Sequence, residues 1–125
     1  KFEPTGEEGI LLIKALCGLE RVVSNVNIPN KYRQISNLPE NAVVETNAVF
    51  ERDSIRPVMA GELPENLYNL IIPHVENHER VYKAVENGMD KALIKEAFMT
   101  DPLVKGRVSE EEVTALMEDM MKATL

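Results

Sequence analysis

The sequence predicts an α+β fold, helices packed with a small antiparallel β-hairpin or sheet, on three observations. Two short β-prone runs, Ala42 to Phe50 and Ile55 to Met59, are separated only by the polar turn Glu51-Arg52-Asp53-Ser54. These runs lead directly into long segments whose apolar residues recur at helical spacing. The helical segments also carry their own punctuation: Ser109 and Glu112 are spaced as a capping box, and Gly88 is placed to end a helix.

A first helix is expected over residues 5–17, opened by a capping box in Thr5-Gly6-Glu7-Glu8. Its residues Ile10, Leu11, Leu12, Ile13, Ala15, Leu16 and Cys17 leave almost no polar face, and a helix apolar all round needs cover on several sides. A neighbouring domain or a second subunit is the expected cover, so the chain by itself is expected to self-associate. From Val22 to Leu38 the text reads as loop, because Ser24-Asn25-Val26-Asn27-Ile28-Pro29-Asn30 is rich in side chains that bond local backbone and contains a proline. The hairpin follows over residues 42–60, with Pro57 assigning its second strand to an edge, since proline cannot donate to a central ladder. Further helices are expected over residues 64–86, 90–99 and 109–122. Pro64 suits the first helical position, and Pro73 should kink or split the long helix that follows it. In the last helix Glu110 and Glu111 lie near the positive end of the helix dipole, and Val113, Leu116, Met117 and Met120 form one apolar stripe.

Composition narrows the function classes. The 125 residues are 44% hydrophobic, enough for a core, yet include only three Phe, three Tyr and no Trp, so that core must be aliphatic. A net charge of −7 argues against a nucleic-acid partner, which would require a surplus of Lys and Arg. No apolar run approaches the roughly 20 residues of a membrane span and no signal pattern opens the chain, so no membrane association and a cytoplasmic location are expected. The single cysteine fits a reducing compartment. An opening Lys1-Phe2-Glu3-Pro4 without an initiating Met, followed at once by a helix start, reads as residues 1–125 forming a single domain cut from a longer protein.

Few residues suggest chemistry. His74 and His78 are four apart and fall in step with Leu67, Ile71, Val81 and Val85 on one helix face. They read either as imidazoles facing a pocket or as hydrogen-bonded core or interface residues; the intervening Val75-Glu76-Asn77 does not make the zinc-protease pattern. Cys17, placed in an apolar helix without a basic neighbour, is expected to be a buried and inert thiol. Asn25, Asn27 and Asn30 carry amides able to bond sugar hydroxyls, and they are equally what turns require. The glycines Gly6, Gly9, Gly18, Gly61, Gly88 and Gly106 are too scattered for a phosphate-cradling loop. No catalytic set can be assembled from this chain, so it is expected to bind no cofactor or metal itself.

The order of several short motifs adds a further expectation. The Val26-Asn27-Ile28-Pro29-Asn30 segment, Asn37-Leu38-Pro39, Val43-Val44-Glu45, Gly61-Glu62-Leu63-Pro64, Pro73-His74-Val75 and Asp101-Pro102-Leu103-Val104 together resemble the carboxy-terminal region of family-4 glycoside hydrolases. The first of these leans towards the α-galacturonidase and α-galactosidase members. The resemblance implies a fold like the carboxy-terminal half of lactate and malate dehydrogenases, and a parent enzyme that also holds a Rossmann-type dinucleotide-binding domain. It implies NAD and Mn2+ as the parent's cofactors, and cleavage of an O-glycosidic bond by oxidation, elimination, addition and reduction. In such enzymes the metal ligands, the NAD fingerprint and the catalytic tyrosine precede this region, so none is assigned to Cys17, His74 or a tyrosine here. A pocket wall near the glycoside, with Asn27, Asn30, His74 and His78 as candidate neighbours of substrate, and contacts within a homo-oligomer are the implied contributions. The chain departs from the family pattern at Thr46-Asn47, at Lys31-Tyr32 and at Asn87-Gly88-Met89-Asp90, and the first two departures bear on sugar specificity. A stand-alone acidic protein-interaction module without catalysis is the alternative reading.

Overall fold

The computed structural model describes residues 8–124, which fall into two compact units, Lys1–Leu63 and Pro64–Leu125. The first unit contains a helix, α1 (Gly9–Leu16), and three strands, β1 (Val22–Pro29), β2 (Val43–Glu51) and β3 (Ser54–Pro57). The strands form one antiparallel sheet in the order β1-β2-β3. The second unit contains α2 (Glu65–Glu86), α3 (Lys91–Thr100) and α4 (Glu110–Thr124). The α+β class is therefore observed.

The segment expected to be loop supplies β1, and this corrects the sequence reading. Its asparagines and proline suggest turns, but its residues alternate in burial, with Val22, Ser24, Val26 and Ile28 turned inward and Val23, Asn25, Asn27 and Pro29 outward. Pairing with β2 in an unbroken register, from Val22 opposite Phe50 to Pro29 opposite Val43, overrides the local preference for turns. β2 alternates more sharply, burying Val44, Thr46, Ala48 and Phe50. The β2–β3 hairpin closes on Arg52-Asp53, with Asp53 at a positive φ of 54°, and Pro57 lies on the edge strand as expected.

α1 packs on the inner face of this sheet, where Ala15, Ala48 and Phe50 form the core, backed by Leu12, Leu16, Val22 and Val26. Its end is a Schellman motif: Gly18 N–H donates to Ala15 O at 2.8 Å and Leu19 N–H to Lys14 O at 3.0 Å, with Gly18 at a φ of 75°. The hairpin turn reaches the same spot, because Asp53 N–H donates to Leu16 O at 3.1 Å and the Arg52 guanidinium packs over the bare Cα of Gly18. Thr5, Gly6 and Glu7 of the expected capping box lie outside the described residues; Glu8, expected in the first turn, instead precedes α1 at its N-cap position, without a side-chain cap bond, and its carboxylate accepts from the Ser24 hydroxyl. Cys17 is exposed, not buried as expected, because α1 turns only Ala15 fully into the core and ends just before the thiol. Ile10 and Ile13 remain 71% and 62% exposed, and Leu11 is exposed as well.

In the second unit Pro73 does not split α2, which runs unbroken through it. Proline removes one backbone donor and costs about 3 kcal/mol inside a helix, a penalty borne here by a helix of 22 residues. α2 ends at Glu86, with Asn87 as its C-cap, Gly88 just beyond at a φ of 73° and Met89 in the same left-handed region at 65°. Asp90 caps α3, its carboxylate accepting from Ala92 N–H at 2.8 Å and Leu93 N–H at 3.3 Å. The expected capping box of α4 is present: Glu112 N–H donates to the Ser109 hydroxyl at 3.3 Å, and Ser109 N–H donates back to the Glu112 carboxylate at 2.7 Å. Ala84, Ala97, Val113 and Met117 are the buried apolar residues of this unit. Among them sits the buried Asn77, whose amide donates to the Asp101 carboxylate and accepts from the Thr100 hydroxyl, each at 3.2 Å. No helix among the described residues is long and apolar enough to cross a membrane.

Candidate functional site

The alternation of β1 and β2 sorts the asparagines by role. Asn25 and Asn27 point to the outer face, opposite Asn47 and Glu45 of β2. Four polar side chains therefore share one exposed patch of sheet, able to donate through amides and accept through amide and carboxylate oxygens. An open cavity of about 420 Å³ adjoins it, lined by Asn25, Glu45, Thr46, Asn47 and, on its apolar side, Ile35 and Met59. Sequence reasoning missed Glu45 and Asn47 because their partnership depends on β1 being a strand. The polar-apolar alternation of Ser24 to Ile28 was the available signal.

Asn30 has a different position. It is fully buried at 0% exposure, and its amide nitrogen donates to Ile35 O at 2.8 Å, Leu38 O at 2.9 Å and Pro39 O at 3.2 Å, while its oxygen accepts from Ile35 N–H at 3.0 Å. The side chain thus closes the connection between β1 and β2 from within. Gln34, also fully buried, donates to Pro29 O at 3.1 Å. Asn37 ties the same connection to the chain beyond β3, donating to Leu63 O at 2.9 Å and accepting from Leu63 N–H at 3.0 Å. Two motifs that are distant in sequence, Asn37-Leu38-Pro39 and Gly61-Glu62-Leu63-Pro64, meet through this paired contact. The outcome is a rigid turn that presents Lys31, Tyr32 and Arg33 to solvent, with Arg33 held at a positive φ of 51° and its guanidinium 3.0 Å from the Glu40 carboxylate.

His74 and His78 are both exposed, on one face of α2. Leu67, Ile71, Val81 and Val85, which share that face, are exposed too, so the histidines belong to an uncovered stripe and not to the core of this unit. Val81 and Val85 of that stripe also line an apolar hollow of about 180 Å³, together with Met89, Phe98, Met117 and Met120. Two carboxylates are perturbed. Hydrogen bonds from Ser109 hold Glu112 below the usual carboxylate range, and a hydrogen bond from the Lys95 ammonium does the same for Glu110. Both belong to the start of α4; Glu112 serves its capping, while Glu110 pairs with Lys95 of α3. Among the described residues no group of three His, Cys, Asp or Glu side chains is arranged to hold a metal ion.

Comparison with known proteins supplies the context that geometry lacks. Residues 1–104 match the family 4 glycosyl hydrolase C-terminal domain. An α-galacturonidase from Lachnoclostridium phytofermentans is 64% identical over 124 residues, which cover 99% of this chain and 26% of the relative. Among solved structures, a Bacillus subtilis protein described as a glucosidase superposes with a TM-score of 0.86 at 40% identity, over 93% of this chain and 26% of that one. A 6-phospho-α-glucosidase from gut microorganisms, solved in complex with NAD and Mn2+, superposes with a TM-score of 0.78 over 90% of this chain and 25% of that one. At 19% identity the last likeness shows shared fold alone. The chain spans about a quarter of the length of the curated relatives it matches.

Proposed function

Because this chain belongs to the family 4 glycosyl hydrolases, as part of their carboxy-terminal domain, we propose that it is the carboxy-terminal part of a glycosidase acting on α-galacturonides. The observation that carries the reading is the 64% identity to an α-galacturonidase across 99% of the chain. Family membership supports NAD and Mn2+ as cofactors of the parent enzyme, and solved proteins of the same fold are described in complex with both. Among the described residues no three His, Cys, Asp or Glu side chains are grouped for a metal, and the glycines are scattered along the sequence. The dinucleotide-binding domain of the same polypeptide is the partner that would supply both sites. The oxidation, elimination, addition and reduction route is proposed for that parent, with no step assigned to a residue described above. A homo-oligomer in the cytoplasm is part of the same proposal, supported by the exposed apolar residues of α1 and by the unpaired Cys17.

Within this reading the chain contributes a wall near the glycoside. In the first unit Asn27 is exposed and available to sugar hydroxyls, and Asn25, Glu45 and Asn47 extend the polar surface around it; in the second unit, taken by itself, His74 and His78 are exposed. Asn30 acts by positioning, since all its amide bonds described above hold backbone. Steady-state kinetics of the parent enzyme on an α-galacturonide, the corresponding neutral α-galactoside and a 6-phosphorylated glycoside test the assignment. The galacturonide should be turned over with the highest kcat/KM. Preference for the 6-phosphorylated sugar would contradict the proposal. For Asn27→Ala and the His74→Ala, His78→Ala pair, an unchanged KM would remove these residues from the pocket wall.

A further inference from the structure

Every sheet has two edges, and here they differ. β3, at one edge, is only four residues long and carries Arg56 and Pro57, features that discourage another strand from adding to it. β1, at the other, runs for eight residues, Val22–Pro29, without a charged side chain. Its register against β2 advances one residue for one over the whole length, so no bulge twists the strand away. The backbone groups of β1 left open among the described residues can be identified. Asn30 N–H donates to Ala42 O at 2.8 Å, one step past the Pro29–Val43 pair, so the even-numbered residues direct their polar groups towards β2. Alternation along an antiparallel ladder then turns the N–H and C=O groups of Val23, Asn25 and Asn27 to the open edge.

We propose that this edge pairs with the β1 edge of a second copy, antiparallel about a two-fold axis through Asn25, to join two three-stranded sheets into one. The sequence of β1 is self-complementary in that register. Asn25 meets Asn25 of the second copy and Val23 meets Asn27, so each open N–H finds an open C=O. On the inner face Val22 falls opposite Ile28 and Ser24 opposite Val26, keeping apolar residues beside apolar or small ones. A one-residue slip of register, which moves the axis between Asn25 and Val26, would mix the two faces, and a two-residue slip, which sets Val26 on the axis, would place Val23 opposite Pro29, which has no N–H to give. With no charge anywhere on β1, nothing in the strand repels its own copy. The adjoining helix strengthens the choice of a second copy, because Ile10, Leu11 and Ile13 of α1 are exposed on the element that packs over Val22 and Val26. The pairing does not depend on the glycosidase reading, since it needs only the fold and the edge.

Asn25→Lys tests the pairing, because it sets two ammonium groups against each other on the axis while changing only an exposed outer-face residue. Sedimentation equilibrium and amide hydrogen exchange on the 125-residue chain provide the readouts. The wild-type chain should dimerise, with the amides of Val23, Asn25 and Asn27 slowed at least about tenfold relative to dilute conditions; Asn25→Lys should abolish both effects at unchanged circular dichroism. A wild-type chain that stays monomeric at high concentration would overturn the proposal, as would a dimer whose Val23, Asn25 and Asn27 amides exchange freely. Should Asn25→Lys disturb folding, Asn25→Cys in a Cys17→Ser background decides the matter. The proposed pair brings its Cα atoms to about 5.5 Å, within disulfide range, so mild oxidation should cross-link it. Cross-linking no faster than that of Val43→Cys, on the outer face of β2, would refute the register.

Discussion

Asn30 shows how far a single residue's role departs from its type. An asparagine followed by lysine and preceded by proline reads as a turn former or as a ligand for hydroxyls, yet here it is a buried clasp with several backbone partners. Its burial depends on contacts with Ile35, Leu38 and Pro39, which no local pattern announces. Replacing Asn30 with Ala would leave those groups unsatisfied away from water, at about 1–3 kcal/mol for such a buried loss, and local relaxation keeps the sum near 3 kcal/mol. Urea denaturation should register this; a loss under about 1 kcal/mol would mean that the connection is held by other contacts. Gly18 makes a different demand. A Cβ there meets both a left-handed backbone and the Arg52 guanidinium, so Gly18→Ala should cost about 1–2 kcal/mol. Adding Arg52→Ala should recover only the steric share of that cost. Full recovery would show that the backbone conformation contributes nothing.

At the scale of elements, legibility followed the kind of interaction that defines each one. α2, α3, α4 and the hairpin were readable because caps, periodicity and a short polar turn are local signals. β1 was not, because its outward side chains are turn-forming asparagines and its strand character comes from pairing with β2 across the 30–42 connection. The outer-face patch of Asn25, Asn27, Glu45 and Asn47 was hidden with it. The capping box of α4 yields a prediction with a pH signature. Ser109→Ala should destabilise the second unit by about 1 kcal/mol. Glu112 has a folded pKa below its unfolded value, so its contribution is present above the ordinary carboxylate range and is lost as pH falls through the lowered folded value. Thermal melts at neutral and strongly acid pH should therefore show a smaller acid-induced drop in Tm for Glu112→Gln than for the wild-type chain. Equal drops would remove Glu112 from the acid response.

At the scale of the whole molecule, the family motifs proved to be pieces of structure. Asn37 and Leu63 bind each other, Asn30 closes its own loop, and Pro73 lies inside a continuous helix. These are scaffold roles, and they explain why the fold and family are legible from these motifs. The central claim is that this scaffold serves an enzyme whose chemistry depends on NAD and a divalent metal held elsewhere in the polypeptide. The most direct measurement is hydrolysis of an α-galacturonide by the parent enzyme after exhaustive chelation and removal of NAD, followed by addition of NAD alone, Mn2+ alone, and both. The account predicts that activity disappears on stripping and returns only when both are restored. Hydrolysis that persists in the stripped enzyme, or returns without NAD, would contradict it.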